Sequence, residues 1–195
     1  ERLTSISYFM KALNQYIAMR ANREDKCSGR FWESRFKSQA LLDERAIISC
    51  MVYVDLNPIR AGIATTLENS HYTSIKRRLA CLKMGKQPNE LKCLKTPLKN
   101  GPNVINIELI SYTNLLRQTA TRLKNAQIID TPRMKIKSSI LDRVEINEDN
   151  WLILTSHIEE AFSYVVGSIT YMEKYRKKLR QNKLKGTSTA LRLFK

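Results

Sequence analysis

The stretch SGRFWESRFKSQALLDERAIISCMVYVDLNPIRAGI, residues 28–63, is the most informative part of this chain. It places Tyr53 in an apolar run that reaches Asn57 and Pro58. A cationic and aromatic segment precedes that run and consists of Arg30, Phe31, Trp32, Arg35, Phe36 and Lys37. A tyrosine in basic surroundings is either a packed aromatic side chain or a nucleophile that attacks a phosphate.

The position of Tyr53 on its predicted helix bears on this choice. Residues three, four and seven positions apart lie on one side of a helix, so Tyr53 is expected to share a side with Ser49, Asn57 and Arg60. Arg45 lies two turns earlier on the same side. The apolar residues fall on the other side and are Ile47, Ile48, Met51, Val52 and Leu56. The pattern therefore predicts that Tyr53 lies on the polar edge of an amphipathic helix.

The two alternatives for Tyr53 differ in their chemistry. A phenol is a weak nucleophile at neutral pH because its pKa is about 10. Nearby cations favour the phenolate, and a metal ion can polarise the phosphate under attack. Most tyrosines in helices pack against neighbours, so composition and spacing alone favour the packed aromatic side chain.

The charge of the chain predicts a polyanionic partner. The 195 residues include 34 Lys and Arg against 18 Asp and Glu, which gives a net charge of +16. A folded domain this basic usually binds nucleic acid, although excess lysine can also serve solubility alone. The excess is strongest at residues 173–195, where 9 basic residues accompany 1 acidic residue. Backbone contacts to DNA are predicted there for Arg176, Lys177, Lys178 and Arg180.

The cysteines and histidines predict no metal site. His71 and His157 are far apart, and no CxxC pair occurs among Cys27, Cys50, Cys81 and Cys93. Scattered cysteines of this kind are typical of reduced thiols in the cytoplasm. No apolar run approaches the roughly 18 residues of a membrane span, so no membrane partner is predicted.

The spacing of apolar residues predicts a mostly helical chain. Helices are expected over 4–23, 44–56, 74–83, 105–125, 148–166 and 170–185, with a strand around Phe36–Leu41. Asp43 and Asn147 are predicted to cap the helices that follow them. The pair Asn57-Pro58 is expected to stop or turn the second helix, because a residue before proline avoids helical angles.

Two ordered motifs within residues 29–64 resemble a known family. The first consists of Gly29, Trp32, Arg35 and Ser38, and the second of Tyr53, Asn57, Pro58, Arg60 and Gly62. Their order is similar to the C-terminal half of the catalytic domain in REP-associated tyrosine transposases, which are single-tyrosine HUH enzymes of bacterial mobile elements. Trp32 stands one residue later than the corresponding tryptophan of the family.

The resemblance continues toward the C-terminus. HYTSI (71–75) is similar to the segment that follows the Asn-Pro motif in the family. A longer bacterial subgroup has a C-terminal extension similar to IELISYTNLLRQTATRLK (107–124), INEDNWL (146–152) and LKGTSTALRLF (184–194). The chain is thus expected to comprise the end of a catalytic domain (1–64), a basic linker with a short helix (65–103) and a helical basic extension (104–195).

The resemblance implies a fold and an activity. The family's catalytic domain is an α+β sandwich, of which this chain would keep mostly helices and few strands. Such transposases bind single-stranded hairpin repeats and cleave and rejoin strands through a 5′-phosphotyrosine intermediate, here at Tyr53. The expected strand-holding residues are Arg30, Arg35, Lys37, Asn57 and Arg60. The expected location is the bacterial cytoplasm at the nucleoid, and a homo-oligomer is left open.

One departure from the family affects the expected activity. The family's divalent magnesium or manganese ion is held by a His-hydrophobic-His motif upstream of the tyrosine helix, and this chain has no such motif. The motif would have to precede Glu1, so the chain is expected to lack the metal ligands and to be inactive alone.

Two other functions stay open from the sequence. A non-catalytic relative of the transposases would bind nucleic acid hairpins without cutting them. A helical protein-interaction module would show no salt-sensitive DNA binding at all.

Overall fold

The computed structural model describes residues 4–96, 101, 104–125 and 135–194. The chain forms two compact units, Glu1–Ser38 and Gln39–Lys195, and each is described by itself. The predicted segments 1–64, 65–103 and 104–195 stay predictions.

The first unit is a long helix followed by an irregular segment. Helix α1 (Ile6–Glu24) confirms the helix predicted over 4–23. Within this unit Trp32 donates an indole hydrogen bond to the carbonyl oxygen of Asn14 at 3.0 Å, and the Phe31 ring meets the Trp32 ring edge-on at 4.9 Å. The helix contributes no buried residue, so its apolar side chains form no core of their own.

The described part of the second unit is mostly helical, as predicted, with a few short strands. Its helices are α2 (Glu44–Arg60), α3 (Ser74–Leu82), α4 (Leu109–Asn125), α5 (Ser139–Val144), α6 (Glu148–Ala161), α7 (Ile169–Lys178) and α8 (Thr187–Leu193). The strands are β1 (Ala40–Leu41), β2 (Leu94–Lys95), β3 (Ile105–Glu108) and β4 (Val165–Val166). They pair in parallel as β1 with β4 and β2 with β3. None of the described helices is long and apolar enough to cross a bilayer.

Helix α2 is capped as the sequence predicts, but it ends later. The Asp43 carboxylate accepts hydrogen bonds from the backbone of Ala46 at 2.9 Å and of Ser168 at 2.6 Å, so it also fixes the start of α7. The expected stop at Asn57-Pro58 is wrong, because the helix continues through Pro58. Proline removes only its own N–H bond, and the turn beyond it closes on the Pro58 carbonyl oxygen, which accepts from Ile63 and Ala64.

Three other predicted boundaries are wrong for local reasons. Residues 105–108 form β3 instead of the first turn of a helix, because their burial alternates as in a strand. The helix predicted over 148–166 ends at Ala161, and Val165–Val166 form β4 instead. The strand predicted around Phe36–Leu41 shrinks to β1, since its partner β4 offers only two residues.

The last predicted helix, 170–185, is also too long. Helix α7 ends at Lys178, and its buried residue is Met172, whereas Tyr171 and Leu179 are exposed. Gly186 then adopts a φ of +101°, a conformation that side chains rarely allow, and α8 begins after it.

The core of the second unit surrounds α2, which packs against α4 and α6. Of the predicted apolar face of α2, Ile48, Val52 and Leu56 are fully buried, whereas Ile47 is partly exposed. Trp151 on α6 is fully buried, and its indole donates to Thr119 on α4 at 2.9 Å.

A buried carboxylate joins three helices in this core. Asp55 of α2 accepts hydrogen bonds from Tyr112 Oη of α4 at 2.7 Å, from Ser74 Oγ at 2.9 Å and from the backbone N of Ile75 at 3.1 Å. Ser74 and Ile75 form the first turn of α3, where free backbone donors attract a negative charge. The first turn of α3 is thereby fixed against α2 and α4.

Replacement of Asp55 by alanine is expected to lower the free energy of unfolding by about 3 kcal/mol or more, because it leaves buried donors of α3 and α4 unpaired. Tyr112→Phe removes a single donor and is the matched control, with an expected loss of about 1.5 kcal/mol. Urea unfolding followed by circular dichroism measures both. Equal losses would show that Asp55 does not join the three helices.

Candidate functional site

The phenol of Tyr53 lies under helix α6. Tyr53 is half-buried at the middle of α2 and packs against the core of the second unit. Its hydroxyl donates a hydrogen bond to the carboxylate of Glu159 on α6. The reacting atom of the predicted nucleophile thus already has a negatively charged partner.

Arg60 binds the same tyrosine from the next turns of α2. Its guanidinium carbon lies 4.0 Å from the centre of the Tyr53 ring, a distance suited to a cation–π contact. Arg60 Nη2 donates to the Asn57 side chain at 3.0 Å, so the predicted residues Tyr53, Asn57 and Arg60 do come together.

The guanidinium of Arg60 also fixes α6. Its Nη1 donates to the carbonyl oxygens of Ser156 at 2.6 Å and Thr155 at 3.2 Å. These acceptors lie just before His157, whose non-helical φ of −137° and ψ of 26° interrupt the helix. Carbonyls at such a break need partners from outside the helix, and Arg60 supplies them.

The surroundings of Tyr53 favour its protonated form. Burial raises the pKa of the Tyr53 phenol above its usual value, the Glu159 carboxylate raises it further, and Arg60 lowers it by less. Arg60 does shift the phenol toward the phenolate, as expected of a nearby cation, but burial and Glu159 outweigh its effect. The sequence could not show it, because Glu159 lies 106 positions away.

The polar edge predicted for Tyr53 is covered by protein. Ser49 is fully buried and donates to the carbonyl oxygen of Arg45 at 2.8 Å. Arg45 itself binds the carbonyl oxygen of Phe194 at 2.8 Å and the Glu145 carboxylate at 2.7 Å. Polar residues in a sequence identify one side of a helix, but they do not show what packs against that side. Here the C-terminal part of the chain packs against it.

A cleft opens beside Arg60, between the C-terminal ends of α2 and α4 and the break in α6. Its volume is about 500 Å³, and its lining includes Arg60, Lys124 and His157. Lys124 donates to the carbonyl oxygen of Thr65 at 2.9 Å, which holds its ammonium at the cleft. Two cations, Arg60 and Lys124, therefore line the cleft.

The remaining predicted DNA-binding residues are mostly exposed. Arg30, Arg35 and Lys37 are exposed in the first unit, and no strand aligns the last two on one face. In the second unit Arg176 is half-buried and donates to the carbonyl oxygens of Gln181 and Asn182 at 3.3 Å. The exposed members at the end of α7 are Lys177, Lys178 and Arg180.

Among the described residues, no group of three or more His, Cys, Asp and Glu side chains is arranged to hold a metal ion. His71 and His157 are exposed, and His157 Nδ1 lies 3.4 Å from the carboxylate of Glu160. The residues described thus do not fit the divalent ion that the resemblance implies.

Comparison of the chain with protein-family models, curated proteins and solved structures gives no match. The similarity to tyrosine transposases therefore depends on the motifs around Tyr53 and the segments that follow them.

Arg60→Lys is expected to lower the free energy of unfolding by about 2 kcal/mol although the charge is kept, because an ammonium cannot bond Ser156, Thr155 and Asn57 while stacking on Tyr53. The matched control is Arg117→Lys, which alters an exposed ion pair with Glu68 and should change stability by less than about 1 kcal/mol. Urea unfolding measures both. Equal stability of Arg60→Lys and the wild type would contradict the role of Arg60 in fixing α6.

Glu159→Gln is expected to lower the pKa of Tyr53, because it removes the negative charge beside the phenol. The difference in phenolate absorbance between each protein and its Tyr53→Phe counterpart isolates this residue during a pH titration. An unchanged pKa would show that the hydrogen bond to Glu159 does not form in solution.

The same shift predicts a pH dependence of stability. The folded pKa of Tyr53 lies above the unfolded value, so its contribution to stability is complete below about pH 10 and is lost as pH rises through the folded pKa. As pH rises from neutral through the folded pKa of Tyr53, the Tyr53→Phe variant should therefore lose less stability than the wild type. Identical pH profiles would contradict the raised pKa.

Proposed function

We propose that this chain acts on single-stranded hairpin DNA as part of a single-tyrosine transposase of the HUH type, with Tyr53 as the nucleophile. The observation on which the proposal depends is the contact of Tyr53 with Arg60, and of Arg60 with Asn57, beside a cationic cleft in a chain of net charge +16. These residues belong to the motif that resembles the transposases.

The proposed chemical step uses the two partners of Tyr53. Tyr53 Oη forms a bond to phosphorus, and the bond between phosphorus and the 3′ oxygen breaks. Glu159 accepts the phenol proton, and the leaving 3′ oxygen takes a proton from water. Rejoining reverses the step: the 3′ hydroxyl gives its proton to water and bonds to phosphorus, the bond between phosphorus and Tyr53 Oη breaks, and Tyr53 recovers its proton from Glu159.

Arg60 would support this step by its charge. Its guanidinium lies against the ring of Tyr53, where it offsets part of the negative charge on the phenolate and on the attacked phosphate. The described residues offer no metal site, so no part of the step is assigned to the magnesium or manganese ion, and the chain alone is expected not to cut DNA.

A second candidate function is non-catalytic binding of nucleic acid hairpins. The observation that favours it is the packing of Tyr53, whose hydroxyl is occupied by Glu159 and whose pKa is raised. A tyrosine held in this way serves the contact between α2 and α6 without any chemistry.

The test of DNA binding is the affinity of the chain for single-stranded hairpins and for matched duplexes across a salt series. We expect tighter binding to hairpins, an affinity that falls steeply with salt, and no effect of Tyr53→Phe. Weak binding without preference for hairpins would contradict the proposal.

A charge-removal variant locates the phosphate contacts. Replacement of Lys177, Lys178 and Arg180 by glutamine should reduce the salt dependence, by roughly 0.7 in the logarithmic slope for each lost contact. The matched control removes the same charge at the exposed Lys11, Arg23 and Lys26 of the first unit. An equal effect of both variants would show that only the net charge matters.

A cleavage assay tests the expected inactivity of the chain alone. With manganese and a labelled hairpin, the chain alone should give no nick. A nick with a strand attached to the protein, absent in Tyr53→Phe, would overturn the expected inactivity of the chain and exclude the non-catalytic alternative.

A further inference from the structure

The most exposed aromatic side chain of the described residues lies outside the Tyr53 site. Tyr72 has a relative exposure of 107% and precedes α3. Its backbone φ is +62°, in the left-handed region that glycine and asparagine enter more readily than a bulky residue. A glycine would suit this turn better, so the fold gains nothing from the ring placed there.

The loop that presents Tyr72 is firmly anchored. The fully buried Ser70 donates to the carbonyl oxygen of Thr66 at 3.0 Å, and Thr73 Oγ1 donates to the carbonyl oxygen of Ser70 at 2.7 Å. Asp55 fixes the next residues, since it accepts from Ser74 and Ile75. A ring on such a support meets a ligand with little loss of conformational entropy.

A cation and a second ring accompany Tyr72. The His71 ring centre lies 6.2 Å from that of Tyr72, with the planes tilted by 51°. Lys76 Nζ lies 3.0 and 3.1 Å from the two ring nitrogens of His71, so an ammonium is held next to the exposed rings. Exposed aromatic faces beside cations are suited to unpaired nucleobases and their phosphates.

We propose that Tyr72 is a stacking platform for one unpaired base of single-stranded DNA, with Lys76 beside the neighbouring phosphate. This inference deepens the proposed function, on which its choice of ligand rests. It assigns the contact with a base to the loop 66–73, which contains none of the cationic residues predicted from the sequence to bind DNA.

Exposure alone does not distinguish Tyr72, since Tyr164 is also 78% exposed. Tyr164 has no left-handed backbone conformation and lies beside β4, whose strand pairing accounts for its position. It therefore serves as the matched control.

The test compares two labelled single strands of equal length, one of thymidines and one in which abasic sites replace the bases. The wild-type chain should bind the thymidine strand about tenfold more tightly than the abasic strand, the ratio expected for a base stacked on an aromatic ring. Tyr72→Ala should bind both strands equally, Tyr72→Phe should keep the preference, and Tyr164→Ala should leave it unchanged.

Tyr72→Gly adds a measurement that a merely structural role would not predict. It should raise the melting temperature by about 2–4 °C, because the left-handed conformation is no longer strained, while the preference for the thymidine strand is lost. A preference that survives in Tyr72→Ala would overturn the inference while leaving the proposed function intact. Failure of the wild type to bind either strand at low salt would overturn the proposed function, and the inference with it.

Discussion

The carboxylate of Asp55 fixes helices α2, α3 and α4 relative to one another. The two candidate DNA contacts, at Tyr53 and at Tyr72, both depend on that arrangement. Asp55 lies two residues beyond Tyr53 on α2 and accepts hydrogen bonds from α3 and α4. A buried charge is stable only with such partners, so the three helices keep one relative position. That position sets how α2 presents Tyr53 and Arg60, and it also fixes the loop that presents Tyr72.

Tyr53 is therefore held in a packed, protonated state. Burial and Glu159 raise its pKa, whereas Arg60 stacks on its ring and partly offsets that effect. The same Arg60 bonds the broken turn of α6, so a movement of α6 would alter both the cover and the charge around the phenol. The proposed chemistry of Tyr53 would thus depend on the same contacts that pack α2 against α6.

Local signals in the sequence predicted the helical character of the chain, the Asp43 and Asn147 caps and the buried residues Ile48, Val52 and Leu56. They failed where the outcome depends on distant partners. The polar edge of α2 lies under α6, and the Glu159 partner of Tyr53 has no local signature because it lies 106 positions away. Tyr72 lies in the segment HYTSI, which resembles the family. Its left-handed backbone and full exposure, however, follow from the tertiary anchoring of the loop and have no local signal in the sequence.

Binding of a single-stranded hairpin at the proposed contacts is tested most directly by titrating the isotope-labelled chain with such a hairpin. The amide signals in nuclear magnetic resonance spectra report which residues are affected. We expect changes concentrated in the loop 66–73, at the C-terminal end of α2 and at the end of α7, with Tyr53 still packed under α6. Changes confined to other surfaces, or no changes at low salt, would contradict this expectation.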